Sequence, residues 1–319
     1  MSQAGVEELV GRALQRDRRA LARLLTLTES VPESAAAIDA LMTPKAGAAR
    51  IVGVTGAPGV GKSTTVSALL SALRARDLRV AVLAVDPSST ATGGAVLGDR
   101  IRMLGHATDD SVFVRSLAAR GQLGGLAAAV PLATRVLDAA GYDVIVLETV
   151  GVGQSEIDVS SLVDTTVVVL APGMGDAVQS MKAGIIEVGD VFVVNKSDRD
   201  GAATTRREIR SAVRRSLEHG QWQPPVLLTE AVRDVGISEL VEKLDCHAEH
   251  LAASGELTRR RRVRVRREVE ILVLEGVRLL MARNDDLVDG VTGRAVSRRQ
   301  PPHQAARAVL DGLADVIRA

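Results

Sequence analysis

Nine residues, GAPGVGKST at positions 56–64, bring three glycines, a lysine and two hydroxyls together directly after a short β-branched run. A loop of Gly56, Ala57, Pro58, Gly59, Val60 and Gly61 can curl until its backbone N–H groups converge on a phosphate. Lys62 then carries a compact ammonium to the β- and γ-phosphates of a nucleotide. Ser63 offers an oxygen to Mg²⁺, and Thr64 leads into a helix whose N-terminus adds positive potential. The chain writes 35 of its 40 basic residues as arginine, so Lys45, Lys62, Lys182, Lys196 and Lys243 stand out as places where a point charge is wanted.

A second constellation concerns the base. NKSD, from Asn195 to Asp198, ends an apolar run. Asp198 can accept both the N1–H and the exocyclic amine of guanine, while Asn195 and Lys196 brace the base and the phosphate loop. Adenine has no such pair of donors, which favours GTP and GDP over ATP. In TEA, residues 229–231, Glu230 occupies the place where guanine-binding proteins usually carry serine, and the Ala231 N–H is left to approach the base oxygen.

The third constellation concerns metal and water. DVIVLETVG, residues 143–151, delivers Glu148 at the end of a strand and Gly151 as a backbone donor to the γ-phosphate. Asp86 ends another strand and Asp99 follows a glycine segment. With Ser63 and Glu148 they form an oxygen-donor set suited to Mg²⁺. Val152, not glutamine, follows Gly151, which predicts slow intrinsic hydrolysis, and Gln154 has no assigned role.

These residues need a scaffold. RIVGVTG, RVAVLAVD, SVFVRS, DVIVLET, TTVVVLAP, DVFVVNK and PPVLLTE are short apolar runs separated by helical stretches. They predict an α/β fold, a mostly parallel sheet flanked by helices with ligands at the strands' carboxyl ends. The expected domains are an N-terminal helical extension over 1–46, a nucleotide-binding domain over 47–245 and a C-terminal helical arm for self-association over 246–319. At 319 residues and 46% hydrophobic content there is ample material for a core. One cysteine, a charged start and no run of about 18 uncharged apolar residues predict a cytoplasmic protein without a membrane span.

The ordered set of motifs resembles the methylmalonyl-CoA mutase-associated GTPases of the MeaB type, of the ArgK-type SIMIBI class. The similarity runs from RALARLLTLTES through GAPGVGKST, VDPSST, VLGDRIRM, ETVGVGQSE and PGMGDAVQSMKAGIIEVGDVFVVNKSD to PPVLLTEA and GISEL, over roughly residues 18–245. The resemblance implies a P-loop GTPase that serves as chaperone to a cobalamin-dependent acyl-CoA mutase, gating adenosylcobalamin loading, protecting the mutase and acting as a homodimer. It further implies that Asp86, Asp99 and Glu148 are the Mg²⁺ and catalytic carboxylates. GDAVQSMKAG would form a third switch in which Asp176, Gln179 and Lys182 respond to the mutase, Gln179 or Lys182 completing the catalytic site alongside Lys62.

Other classes are weaker fits. A metallochaperone-type GTPase needs a His-rich tract or paired cysteines, and DCHAEH offers only Cys246, His247 and His250. A small-molecule kinase, such as an amino-acid transport kinase, shares the phosphate cradle but has no use for paired switch segments. RRRRVRVRR, residues 259–267, places seven arginines in nine positions, yet aromatics are 1% of the chain and net charge is only +1, so nucleic acid is not expected. A solvated, oligomer-forming helix fits that run better.

Overall fold

The computed structural model describes residues 2–30, 32–87, 108–119, 129–149, 159–173, 184–216 and 222–318. The chain divides into two compact units, Met1–Arg264 and Val265–Ala319.

In the first unit, seven strands form one sheet: β1 (Arg50–Thr55), β2 (Val80–Pro87), β3 (Val112–Ala119), β4 (Val144–Thr149), β5 (Thr165–Leu170), β6 (Val191–Val194) and β7 (Val226–Leu228). Their order is β3-β2-β4-β1-β5-β6-β7, and every pairing is parallel. Each apolar run predicted as a strand is one.

Helices cover both faces, which explains why the strands read as continuous apolar runs. Helices α1 (Gln3–Leu14), α2 (Arg18–Ser30), α3 (Pro32–Met42) and α5 (Ala129–Ala139) share a core with Ile51, Ala81, Leu83, Ile145 and Leu147. Their neighbours Val52, Val80, Val82, Val144 and Val146 turn to the other face. There they meet α4 (Lys62–Arg74) through Leu69, Leu70 and Leu73, and α8 (Ile237–Ser254) through Leu240, Val241 and Leu244. Leu24 and Leu25 of α2 are fully buried, so the N-terminal helices form a layer over the sheet. α6 (Gly184–Val188) and α7 (Ala202–Ser216) flank β6 and β7, and Ile209 and Val213 of α7 pack on Phe192 and Val226.

β1 is central, and β4 and β5 lie on either side of it. The strand order reverses here, opening a crevice at the carboxyl ends that is the usual ligand position in such sheets.

α9 (Glu256–Arg283) contributes residues to both units. Within the second unit, α10 (Asp285–Val296) and α11 (Pro302–Arg318) bury Val291, Ala305, Val309 and Leu313 against Val277, Leu280 and Met281. Among the described residues no helix is long and apolar enough to cross a membrane.

Candidate nucleotide site

The phosphate loop leaves the carboxyl end of β1 and enters α4. Two of its glycines are required by close approach in left-handed backbone. Gly56, at φ 139°, would place a Cβ 2.1 Å from the carbonyl oxygen of Val169, and Gly61, at φ 97°, would place one 2.4 Å from Asn195 Nδ2. Gly59 has φ 79° and open space around it. Gly61 caps α4 without a side-chain hydrogen bond, and the helix N-terminus opens directly from the loop, where its first-turn N–H groups favour an anion.

Lys62 is buried, and its Nζ donates to the carbonyl oxygens of Gly56 at 2.7 Å and Ala57 at 3.1 Å. Burying an ammonium is costly unless dipoles compensate it, and the loop supplies them. The lysine is therefore held inside the phosphate cradle instead of extending into solvent. Pro58 is exposed and Val60 is buried, so the loop is anchored at Val60.

Ser63 Oγ donates to Glu148 Oε1 at 2.6 Å, and Glu148 is 2% exposed. The parallel register pairs Glu148 with Val54 on β1 and with Ala84 on β2, bringing three strand ends together. Asp86 extends β2 two residues further, in register with Ala118, and only its backbone is described. A buried carboxylate touching a hydroxyl at the start of the phosphate-loop helix is a hard-oxygen donor set, which suits Mg²⁺. Among the described residues no group of three or more His, Cys, Asp or Glu converges as a metal site. Asp99, Gly151, Gln154, Asp176, Gln179 and Lys182 lie outside the described residues.

The base side is assembled by one amide. Asn195, 3% exposed, donates from Nδ2 to the Val60 carbonyl at 3.0 Å. Its Oδ1 accepts from Thr229 Oγ1 at 3.2 Å and from the Ala231 N–H at 3.1 Å. Lys196 takes a left-handed backbone at φ 58°, and its Nζ donates to the Gly59 carbonyl at 2.6 Å. Asp198 remains exposed, with its carboxylate available to a base. A base oxygen would have to share the Ala231 N–H with Asn195. Glu230 pairs with Arg233 instead of reaching the Asn195 network, and that pairing raises the Arg233 guanidinium above its ordinary range.

Motif reading overlooked Thr229. Its hydroxyl completes the Asn195 acceptor, and it stood in the TEA motif beside the residues that were singled out.

The arginine run is a helix whose Arg259, Arg262 and Arg266 are exposed, as the sequence suggested, while Arg260, Arg261 and Arg264 turn to acids of the sheet. Arg260 makes a two-pronged contact with Asp190, Nη1 to Oδ2 at 2.8 Å and Nη2 to Oδ1 at 2.9 Å. Arg264 Nη1 donates to Asp164 Oδ1 at 3.2 Å, and Arg261 lies 3.4 Å from Asp164 Oδ2. Asp164 and Asp190 precede β5 and β6, so these arginines clamp the first turns of α9 to the amino edge of the sheet, opposite the nucleotide crevice. His247 is fully buried beside Asp190, with Nε2 3.3 Å from Oδ1 and Nδ1 2.8 Å from Thr165 Oγ1, and its ring packs on Trp222. Burial alone would raise the Asp190 carboxyl, but hydrogen bonds and charge from His247 and Arg260 outweigh it and hold the group below the usual carboxylate range. Cys246, beside His247, is exposed, so the DCHAEH residues do not converge on one point.

Comparison with known proteins agrees with this geometry. The family description "Methylmalonyl Co-A mutase-associated GTPase MeaB" matches residues 21–286. A protein of Pyrococcus horikoshii named as a GTPase is 43% identical over 311 residues, 97% of this chain and 98% of its own. The GTPase ArgK of Escherichia coli is 39% identical over 281 residues, 85% of this chain and 84% of its own. A crystal structure described as a LAO/AO transport system kinase superposes with a TM-score of 0.70 at 31% identity, covering 100% of this chain and 99% of that one.

Proposed function

The chain belongs to the methylmalonyl-CoA mutase-associated GTPase family, and from that premise we propose that it hydrolyses GTP slowly by itself and faster when bound to a cobalamin-dependent acyl-CoA mutase. In this role it gates adenosylcobalamin loading and protects the mutase from inactivation, methylmalonyl-CoA mutase being the first candidate partner. The observation that carries the reading is the family match over residues 21–286, which spans the phosphate loop, the base reader and the third-switch segment together.

The residues divide the work. Lys62 holds the β- and γ-phosphates, and the loop amides between Gly56 and Thr64 fix their oxygens. Ser63 and Glu148, with Asp86 and Asp99, would hold Mg²⁺, which when bound neutralises charge on the phosphoryl oxygens. Asn195 and Lys196 tie the base loop to the phosphate loop, so the two ends of the nucleotide are read by one connected structure. Asp198 selects guanine. Gln179 or Lys182 completes the site when the mutase repositions the segment around Asp176, which makes hydrolysis a signal.

Self-association through the C-terminal helices belongs to the same proposal. Val265, Val269, Leu272 and Val273 of α9 are large apolar residues, 49–59% exposed and at helical spacing, the pattern of an interhelical seam.

Co-purification with candidate mutases in GDP and in a non-hydrolysable GTP analogue tests the partner; no complex with any of them removes the chaperone reading. A kinase of a small transport-linked substrate is the second reading, favoured by the description of the structure that superposes at 0.70. Terminally labelled nucleotide separates the two, since a labelled acceptor other than free phosphate would mean a kinase.

A further inference from the structure

The outer edge of the sheet carries a feature that nucleotide chemistry leaves unused. β7 is the last strand among those described, and a cleft of about 320 Å³ runs along it. One wall is α7, which presents Arg206, Arg210 and Arg214 at successive four-residue steps; the other is α8, which contributes Lys243 and Glu239. Four bases therefore face one acid, in a chain whose net charge is only +1. Among the described residues no hydrogen bond or ion pair reaches any of the four bases, whereas Arg260, Arg261 and Arg264 of α9 are engaged by Asp164 and Asp190.

The floor of the cleft is backbone. Pro225 accepts from the Phe192 N–H at 2.9 Å and the Thr229 N–H donates to Val194 at 3.0 Å, so alternate residues of this segment face β6. The intervening Val226 and Leu228 turn their backbone groups outward. Gly236 sits against the Leu228 carbonyl, where a Cβ would come within 2.3 Å of it. That leaves the Val226 N–H and C=O and the Leu228 N–H towards the cleft.

We infer that this cleft binds an extended acidic segment of a partner protein, added beside β7 as a further strand, with its carboxylates on Arg206, Arg210, Arg214 and Lys243. Backbone pairing supplies the register and alternate side chains supply selectivity. The charge complementarity favours an acidic occupant over a neutral one and speeds its capture. Pro224, which falls on the outward-facing side of this alternation and lacks an N–H donor, keeps the open edge short, so pairing with another uncharged strand is disfavoured. The inference does not depend on which mutase, if any, is served.

The test uses the full chain and a fluorescein-labelled octapeptide of alternating Glu and Val, read by anisotropy. Binding should weaken with salt and fall about tenfold or more in Arg206→Glu/Arg210→Glu. GTP turnover of that variant should be unchanged, which shows that it is folded. The same peptide N-methylated at alternate backbone nitrogens keeps its charge but cannot pair, and it should also lose about tenfold. Equal binding of the N-methylated and parent peptides overturns strand addition. So does binding of inorganic tripolyphosphate with no peptide binding, which would make the cleft a small-anion site. Unaltered peptide affinity in the arginine variant overturns the assignment of the surface.

Discussion

Asn195 Nδ2 donates to the carbonyl of Val60 at 3.0 Å across 135 residues of sequence, joining the NKSD loop, the proposed base reader, to the glycine-rich loop proposed to hold the phosphates. The same amide accepts from Thr229 and Ala231, so a single buried side chain braces three loops. Replacing it by alanine strands one acceptor and two donors. Asn195→Ala should cost roughly 3 kcal/mol of stability or more, at about 1–3 kcal/mol for each of the three buried groups left unsatisfied, and weaken GTP binding. Denaturant titration with and without nucleotide checks both effects.

Asp198 is exposed and not drawn into the Asn195 network. Asp198→Asn should therefore leave the fold intact. It should lower GTP affinity by about tenfold or more, since a charge-assisted hydrogen bond contributes about 1.5–3 kcal/mol. Xanthosine triphosphate, which carries an oxygen in place of the exocyclic amine, should gain affinity. Competition binding with the two nucleotides decides it, and unchanged GTP affinity would remove Asp198 as the base reader.

Gly56 and Gly59 provide an internal comparison, because both have positive φ but only Gly56 meets backbone where a Cβ would be. Gly59→Ala should cost about 1–3 kcal/mol, the backbone strain alone. Gly56→Ala must also displace β5 at Val169, so it should unfold more easily and lose nucleotide binding altogether. Equal melting temperatures for the two variants would mean that the cradle is looser than its geometry indicates.

The sheet was legible because its strands are covered on both faces and so appear as unbroken apolar runs. Ile51 and Val52, or Ile145 and Val146, serve opposite faces yet are both apolar. The phosphate and base motifs were legible because their residues are consecutive in the chain. The ties between motifs were not: Asn195 meets Val60, and Arg260 meets Asp190 70 residues upstream, through folding alone. From local sequence Arg260, Arg261 and Arg264 are indistinguishable from a solvated basic face, because the acids that pair with them precede distant strands. Asp99 was read as part of the oxygen-donor set and Asp176, Gln179 and Lys182 were assigned by resemblance, and all four lie outside the described residues.

The Asp190 clamp has a pH signature. Its folded carboxyl lies below the ordinary range, so the stability it contributes is fully present above the unfolded value of about 4 and is lost as pH falls through the lower folded value. Asp190→Asn leaves Arg260, which is 28% exposed, with Glu256 as its remaining charge partner. The cost should lie at or below the low end of the roughly 3–5 kcal/mol seen when buried pairs are broken. Acid unfolding of parent and variant should converge as the pH drops below about 4. A constant difference down to the most acidic pH would contradict the clamp.

Lys182 is one of five lysines among 40 basic residues, and by the proposed mechanism it acts only when a partner is bound. Lys182→Ala should preserve basal GTP turnover and abolish most of its stimulation by the mutase. Equal stimulation of parent and variant would sink that role and leave Gln179 as the remaining candidate.

The central claim is tested most directly by steady-state release of phosphate from GTP, measured for the purified chain alone and with a cobalamin-dependent acyl-CoA mutase at saturating concentration. The account predicts slow turnover alone and a rise of about tenfold or more with the mutase, in keeping with catalytic groups supplied on binding. Identical rates with and without every candidate mutase would contradict it.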